Sequence, residues 1–319
     1  MSTAQHLAGV WQQFAAAEAA GRSSLYEQIA RGVASDRVIL TRLSQLPERE
    51  QQPNLLLAVV RYLGGTGREY AEFRTYVLTH WRRIRAEMAV RRTQTNEVGR
   101  SAVLYPAVAA LQGPLALLEV GASAGLLLLL DRYGYEYDGI RVGDLRSPLQ
   151  IRTILRGPAP IPAAAPEVTW RAGIDLNPLD AGRDDDVAWL RACIWPDQLE
   201  RLERLDAAVA VARLYRPRLV RGDLLEGTEA LATEAPARAR LVIYNAATLA
   251  YLSARQRTAF RNLVRRLGCT WISLEGPDTR LLPEIRRLSP QSGDFVLAVN
   301  EKPVALSGPH GEWLHWQAA

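Results

Sequence analysis

The stretch Leu117-Leu118-Glu119-Val120-Gly121-Ala122-Ser123-Ala124-Gly125 admits few folds. An apolar run climbs to an acid, a loop bounded by two glycines follows, and Leu126 to Leu130 come next with Asp131 behind them. That order reads as strand, tight loop, helix. Glycine accepts backbone angles that other residues resist, and without a Cβ it lets a ligand come close. Glu119, at the strand end, can accept hydrogen bonds from a hydroxyl or an ammonium. The spacing E-x-G-x-x-x-G differs from the G-x-G-x-x-G that cradles a pyrophosphate, so it points away from dinucleotides.

The chain changes texture around this loop. Residues 1 to 112 read as helices. Leu7, Val10, Trp11 and Phe14 recur at helical spacing, as do Leu25, Ile29 and Val33, then Leu56, Val59, Val60 and Leu63, then Tyr76, Leu78, Trp81, Ile84 and Met88. Pro53 suits a first helical turn, and Gly64-Gly65 suits a helix end. After Gly113-Pro114, short apolar runs alternate with helical stretches. Strands are expected at Ala116–Val120, Glu167–Ile174, Arg218–Arg221, Leu241–Tyr244 and Thr270–Leu274. Helices are expected at Gly125–Tyr133, Asp185–Cys193, Gln198–Tyr215 and Ala254–Leu267. Such alternation predicts a parallel sheet covered by helices on both faces. Phe295–Asn300, Pro303–Ser307 and Trp313–Trp316 read as closely spaced antiparallel strands on the sheet edge, around the turn Gly308-Pro309-His310-Gly311. Residues 134 to 166, with alternating tyrosines and then Pro158, Pro160, Pro162 and Pro166, read as an insertion: a hairpin and a proline-rich connection, serving either as a lid or substrate wall or as packing.

In open α/β sheets ligands bind beyond the carboxyl ends of the strands. Glu119 and the Gly121–Gly125 loop end the first strand, Asp175-Leu176-Asn177 the second, Asp223-Leu224 the third, Tyr244-Asn245 the fourth and Glu275 the fifth. Any one strand-terminal Asp is equally a helix N-cap. Five such ends in order, on one expected rim, are more specific than any of them alone.

This ordered set resembles the class I S-adenosylmethionine-dependent methyltransferases, whose strand one ends in E/D-x-G-x-x-x-G and whose strands two and three each end in an acid. The similarity covers about residues 114 to 319. TQTNE at Thr93–Glu97, EVGASAGL at Glu119–Leu126, GIDLNPLD at Gly173–Asp180 and LAYL at Leu249–Leu252 further resemble a bacterial family of unknown function with a helical region before a methyltransferase-like domain. The resemblance implies an α/β fold: a Rossmann-like, mostly parallel sheet over residues 113–319, closing in a C-terminal antiparallel strand pair and preceded by an all-α domain, residues 1–112. It implies that Glu119, Gly121, Ala122, Ser123, Gly125, Asp175, Leu176, Asp223, Leu224 and Asn245 line an S-adenosylmethionine site. The chain departs from the family's pattern in the long gap between Gly125 and Asp175, in the leucine run after Gly125, and in lacking Asn-Pro-Pro-Tyr after the fourth strand.

The polar run before the first strand is a second candidate. Glu97 and Arg100 share a helix face, with Gln94 and Asn96 just upstream. Thr95 or Asn96 could cap a helix with Glu97 in its first turn, or the run could fold over the rim as a substrate wall. Gln94, Asn96, Arg100 and Tyr244 are therefore substrate-binding candidates. Glu97, Tyr251 and Glu275 are candidates for positioning a substrate or accepting its proton, with core packing the alternative for Tyr251.

Composition narrows the class. The chain has 319 residues and a net charge of +5, and its basic residues are nearly all arginine, spread along helices rather than clustered. That pattern argues for solvated helix faces and against nucleic acid. No apolar run reaches the roughly 18 residues of a membrane span, and the opening MSTAQHLAGVWQQF shows no secretory pattern. Cys193 and Cys269 are expected as buried thiols in a reducing cytoplasm, and four scattered histidines argue against a zinc site. The first expectation is a cytoplasmic enzyme that methylates a small molecule. The second is the same pocket turned to a cofactor-independent displacement, such as ring closure with loss of a leaving group. The third is a non-catalytic ligand-binding subunit. Assembly with like or unlike chains stays open.

Overall fold

A computed structural model describes residues 3–65, 67–279, 288–291 and 293–317. The chain divides into two compact units, Met1–Thr95 with Asp184–Leu202, and Asn96–Arg183 with Glu203–Ala319. The cut falls at 95/96, ahead of the change in texture near 112, and a later helical segment returns to the first unit.

The first unit is helical, with helices Thr3–Gln13, Ser24–Ser35, Arg37–Ser44, Pro53–Tyr62, Tyr70–Val90 and Asp184–Cys193. Leu7, Trp11, Phe14, Tyr26, Ile29, Val33, Leu56, Val59 and Val60 form its buried stripes. Pro53 opens its helix and Gly64, at φ +88°, lies just past the end of it. In Tyr70–Val90 the buried stripe is Phe73, Val77, Ile84 and Met88, while Tyr76, Leu78 and Trp81 stay half-buried because the helix bends at His80.

The second unit carries one eleven-stranded sheet: β1 Leu115–Val120, β2 Gly134–Tyr137, β3 Ile140–Gly143, β4 Gln150–Leu155, β5 Val168–Asp175, β6 Arg218–Arg221, β7 Arg240–Ala246, β8 Thr270–Glu275, β9 Phe295–Val299, β10 Lys302–Ser307 and β11 Trp313–Trp316. Their order is β3-β2-β4-β11-β10-β9-β8-β7-β1-β5-β6. The five strands β6-β5-β1-β7-β8 are parallel, then β9, β10 and β11 run antiparallel to their predecessors. The fold is thus α/β, with helices followed by a mostly parallel sheet and C-terminal antiparallel strands. β1 is buried along its whole length, as its continuous apolar run requires for a central parallel strand. Leu118 and Val120 point to the face covered by helices Leu224–Ala232 and Ala254–Leu267, packed with Ile174, Phe260 and Trp271. Period-two alternation turns Leu117 and Glu119 to the opposite face.

Three expectations are corrected. The C-terminal strands are not an edge, because β11 pairs in parallel with β4. Residues 134–155 are therefore not a lid: β2, β3 and β4 complete the far end of the sheet, and only the proline-rich part of 134–166 remains a connection. The segment after Gly125 is not an α-helix but a 3-10 run, Leu126–Arg132, broken at Leu129. Tyrosines account for this break in the pattern. Tyr133, Tyr135 and Tyr137 are fully buried, and their hydroxyls donate to the carbonyls of Leu126, Leu130 and Ala102, each at 2.6 Å. Two of these carbonyls belong to the leucine run itself, whose backbone acceptors are satisfied from outside.

Candidate functional site

Because β6, β5, β1, β7 and β8 are parallel, their carboxyl ends share one rim. The strand order reverses between β1 and β7, the crevice where open α/β sheets take ligands. Glu119, Asp175, Asp223, Asn245 and Glu275 all come to this rim, as the sequence predicts. What each does there differs from the expectation in several cases.

The loop after β1 is drawn onto β5. The N–H groups of Gly121 and Ala122 both donate to Ile174 O, at 2.8 and 3.2 Å. Gly121, Ser123 and Gly125 have φ of +75°, +50° and +68°. Glycine takes such angles freely, whereas Ser123 must be held in them. Asp175 does the holding: Oδ2 accepts from Ser123 N–H and Oδ1 from Asn177 N–H, both at 2.8 Å. Both carboxylate oxygens are thus engaged with backbone. On the far side of the loop, buried Asn96 accepts the Leu126 N–H at 2.9 Å.

Gly121 has a neighbour the sequence did not suggest. A Cβ built on it would run into Oγ1 and Cγ2 of Thr248 and lie 2.8 Å from Thr248 Cβ. Thr248 donates to Val120 O at 3.2 Å and sits in a turn entered through Ala247 at φ +57°. Glu275 pins that turn. Its Oε1 accepts from Thr248 N–H (2.8 Å), Leu249 N–H (3.0 Å) and Asn245 Nδ2 (2.7 Å). Asn245 is itself saturated, donating also to Ser273 Oγ and accepting from Trp271 Nε1. Glu275 and Asn245 are therefore the framework that sets Thr248 over Gly121.

Glu119 is 1% exposed, and its Oε2 has no hydrogen-bond partner among the described residues. Burial raises its carboxyl well above the ordinary range; Asp175 adds to the rise, and Arg100 and Tyr244 oppose it. Tyr244, opposite Glu119 in the β1–β7 register, is also fully buried, and burial raises its phenol in turn. Glu119 is the last residue but one of β1, and Tyr244 is two residues from the end of β7. Burial also raises Glu275, with the amides of Leu249 and Thr248, Asn245 and Arg100 opposing.

The polar run before β1 crosses this rim. The helix Arg100–Ala109 starts after Gly99, so neither Thr95 nor Asn96 caps it, and Glu97 precedes it. Arg100 is buried; its Nε donates to Pro309 O at 2.9 Å and a second nitrogen to Ala246 O at 3.3 Å, at the end of β7. Buried Glu97 accepts Gly99 N–H at 3.2 Å. Its Oε2 lies 3.2 Å from His310 Nδ1, and its Oε1 3.9 Å from an Arg204 nitrogen. The turn 308–311 between β10 and β11 comes so near that a Cβ on Gly311 would strike Gly99 O and lie 3.2 Å from Arg100 N. His310 was not a predicted site residue; a histidine in a glycine-bounded turn was the available signal.

At the other end of the rim, Leu176 is 70% exposed. Arg221 donates to Leu176 O at 3.0 Å and Asn177 Oδ1 at 3.2 Å. Asp223 caps the helix Leu224–Ala232, Oδ1 accepting Leu225 N–H at 2.7 Å, and half-buried Leu224 packs on the core. Tyr251, 81% exposed, is not core packing. Gln94 belongs to the helical unit, its N–H directed at the Cys193 thiol. Cys193 and Cys269 are free and half-buried, each pushed up to about 11 by burial. No described helix is long and apolar enough to cross a membrane.

No curated protein matches the chain in sequence. The model of one family, described as "Uncharacterized protein conserved in bacteria (DUF2332)", matches residues 9–316, and the chain belongs to that family.

Proposed function

We propose that the protein is a cytoplasmic bacterial enzyme that binds S-adenosylmethionine at the carboxyl rim and methylates a small molecule, in the manner of the class I methyltransferases it resembles. The observation that carries this reading is the parallel order β6-β5-β1-β7-β8, which gathers the Gly121–Gly125 loop, Asp175 and Asp223 at one switch point. The residues fit the group on one side. Leu176, exposed after β5, and Leu224, half-buried after β6, are the apolar side chains that could meet a flat base at these strand ends. Asp223 keeps a second carboxylate oxygen for an exocyclic amine, and the engaged oxygens of Asp175 retain lone pairs for a sugar hydroxyl. Bound there, the sulfonium would supply an activated methyl group, so positioning and a nucleophile relieved of its proton suffice.

Over Gly121 the residues do not fit, because Thr248 fills the approach that a glycine leaves open. That observation favours a second reading: the same rim performing a displacement without the cofactor, such as ring closure with loss of a leaving group.

A melting experiment separates them. Under the first reading S-adenosylhomocysteine raises the melting temperature in a concentration-dependent way, since it binds only the native state. Asp223→Asn, which retains helix capping, reduces that rise. An unchanged melting temperature at millimolar ligand rejects the first reading and leaves the second.

A further inference from the structure

We propose that Glu97 and His310 form a carboxylate–imidazole dyad in which His310 is the general base of the rim site and Glu97 its positioning residue. The inference rests on the rim being the place of reaction and holds for either displacement above. Three observations carry it. First, the Glu97 carboxylate is buried and its Oε2 lies 3.2 Å from His310 Nδ1, a nitrogen shielded from solvent that makes no aligned hydrogen bond among the described residues, so Glu97 faces it as an ion-pair partner. Second, the His310 side chain is 28% accessible, and because Nδ1 is shielded that exposure lies on the other atoms of the ring. Third, the dyad is fixed to the rim: Arg100 ties Pro309 O to Ala246 O at the end of β7, and Asn96, beside Glu97, ties the run to Leu126 after the loop.

A negative charge 3.2 Å from Nδ1 favours the proton on that nitrogen and leaves the lone pair on Nε2, on the accessible side of the ring. The step is a proton transfer. Nε2 takes the proton from a substrate O–H or N–H, and the electron pair of that bond stays on the oxygen or nitrogen, ready for displacement at carbon. The imidazolium that forms is countered by Glu97. Arg204, from helix Leu199–Tyr215, brings a guanidinium nitrogen to 3.9 Å from Glu97, and Glu312 accepts the His310 backbone N–H at 3.1 Å. The sequence spacing hides this pair, since more than two hundred residues separate its members.

The test needs no substrate. The full chain is acylated with diethyl pyrocarbonate at neutral pH and the modified histidines are resolved by mass spectrometry. His310 should react faster than exposed His6, and Glu97→Gln should slow His310 by about tenfold, the scale on which an orienting partner acts, while leaving His6 unchanged. An His310 that reacts no faster than His6, or a rate indifferent to Glu97→Gln, overturns the proposal. Should that variant not fold, nitrogen-15 spectra of the wild-type chain decide. A proton on Nδ1 of neutral His310 supports the dyad, and a proton on Nε2 refutes it. Failure here leaves adenosylhomocysteine binding untouched, and loss of that binding leaves the dyad standing.

Discussion

Gly121 and Thr248 give a double-mutant cycle whose terms follow from the geometry. Gly121→Ala meets two costs. Its φ of +75° is in the left-handed region, where a side chain costs about 1–2 kcal/mol. The new methyl group also overlaps Thr248, an overpacking worth about 1–3 kcal/mol. Rotating Thr248 about χ1 moves Oγ1 and Cγ2 but not its Cβ, which lies 2.8 Å from the added carbon. The turn would have to retreat, and Glu275 holds it through the amides of Thr248 and Leu249. Gly121→Ala should therefore destabilise by about 2–5 kcal/mol in the wild-type background. In a Thr248→Gly background only the backbone strain remains, so the same change should cost about 1–2 kcal/mol. Thr248→Ala, which removes Oγ1 and Cγ2 but keeps the Cβ at 2.8 Å, should relieve only part of the overlap. Urea unfolding of the four chains, followed by circular dichroism, yields a coupling of about 1–3 kcal/mol. Additive costs, or a neutral Gly121→Ala, would refute the packing of Thr248 on Gly121 and with it the case for a closed approach.

Other expectations are simpler. Burial, then the charge of Asp175, raises the folded-state carboxyl of Glu119, so the native chain binds that proton more tightly than the unfolded chain does. The stability this proton confers is complete below the ordinary glutamate range and is lost as pH climbs through the raised value. Glu119→Gln should flatten that fall in urea titrations at a series of pH values, leaving a residual slope from Glu275, which burial also raises; an unaltered slope would show that Glu119 ionises as in the unfolded chain. Asn96→Ala strips the Leu126 N–H of its acceptor and should cost about 1–3 kcal/mol, with faster amide exchange at Leu126. Unchanged exchange there would remove Asn96 from the loop.

Much of the rim was legible in the sequence because it is local. A buried parallel strand is a continuous apolar run, so β1 stands out, and the short apolar runs of β5, β6, β7 and β8 alternate with helical stretches, so their carboxyl-end residues follow. What the sequence hid depends on distant partners. The leucines after Gly125 have helical composition, yet the hydroxyls of Tyr133, just before β2, and of Tyr135 in β2 take carbonyls of that run and the segment stays 3-10. β2 to β4 are short and followed by prolines, so they read as an insertion until β11 supplies a parallel partner. Asp175 and Asn245 have residue types suited to a ligand, but their polar atoms hold Ser123, Asn177, Ser273 and Trp271. Thr248 and His310 carry no motif of their own; one matters because Glu275 fixes its turn, the other because Glu97 faces its ring.

The central claim is that this rim takes an adenosylmethionine-type ligand. Calorimetric titration of the full chain with S-adenosylmethionine tests it most directly. Saturable binding with one site per chain, weakened by Asp223→Asn, is the expected result; the absence of binding heat at millimolar ligand across several temperatures, with the chain folded, would contradict it.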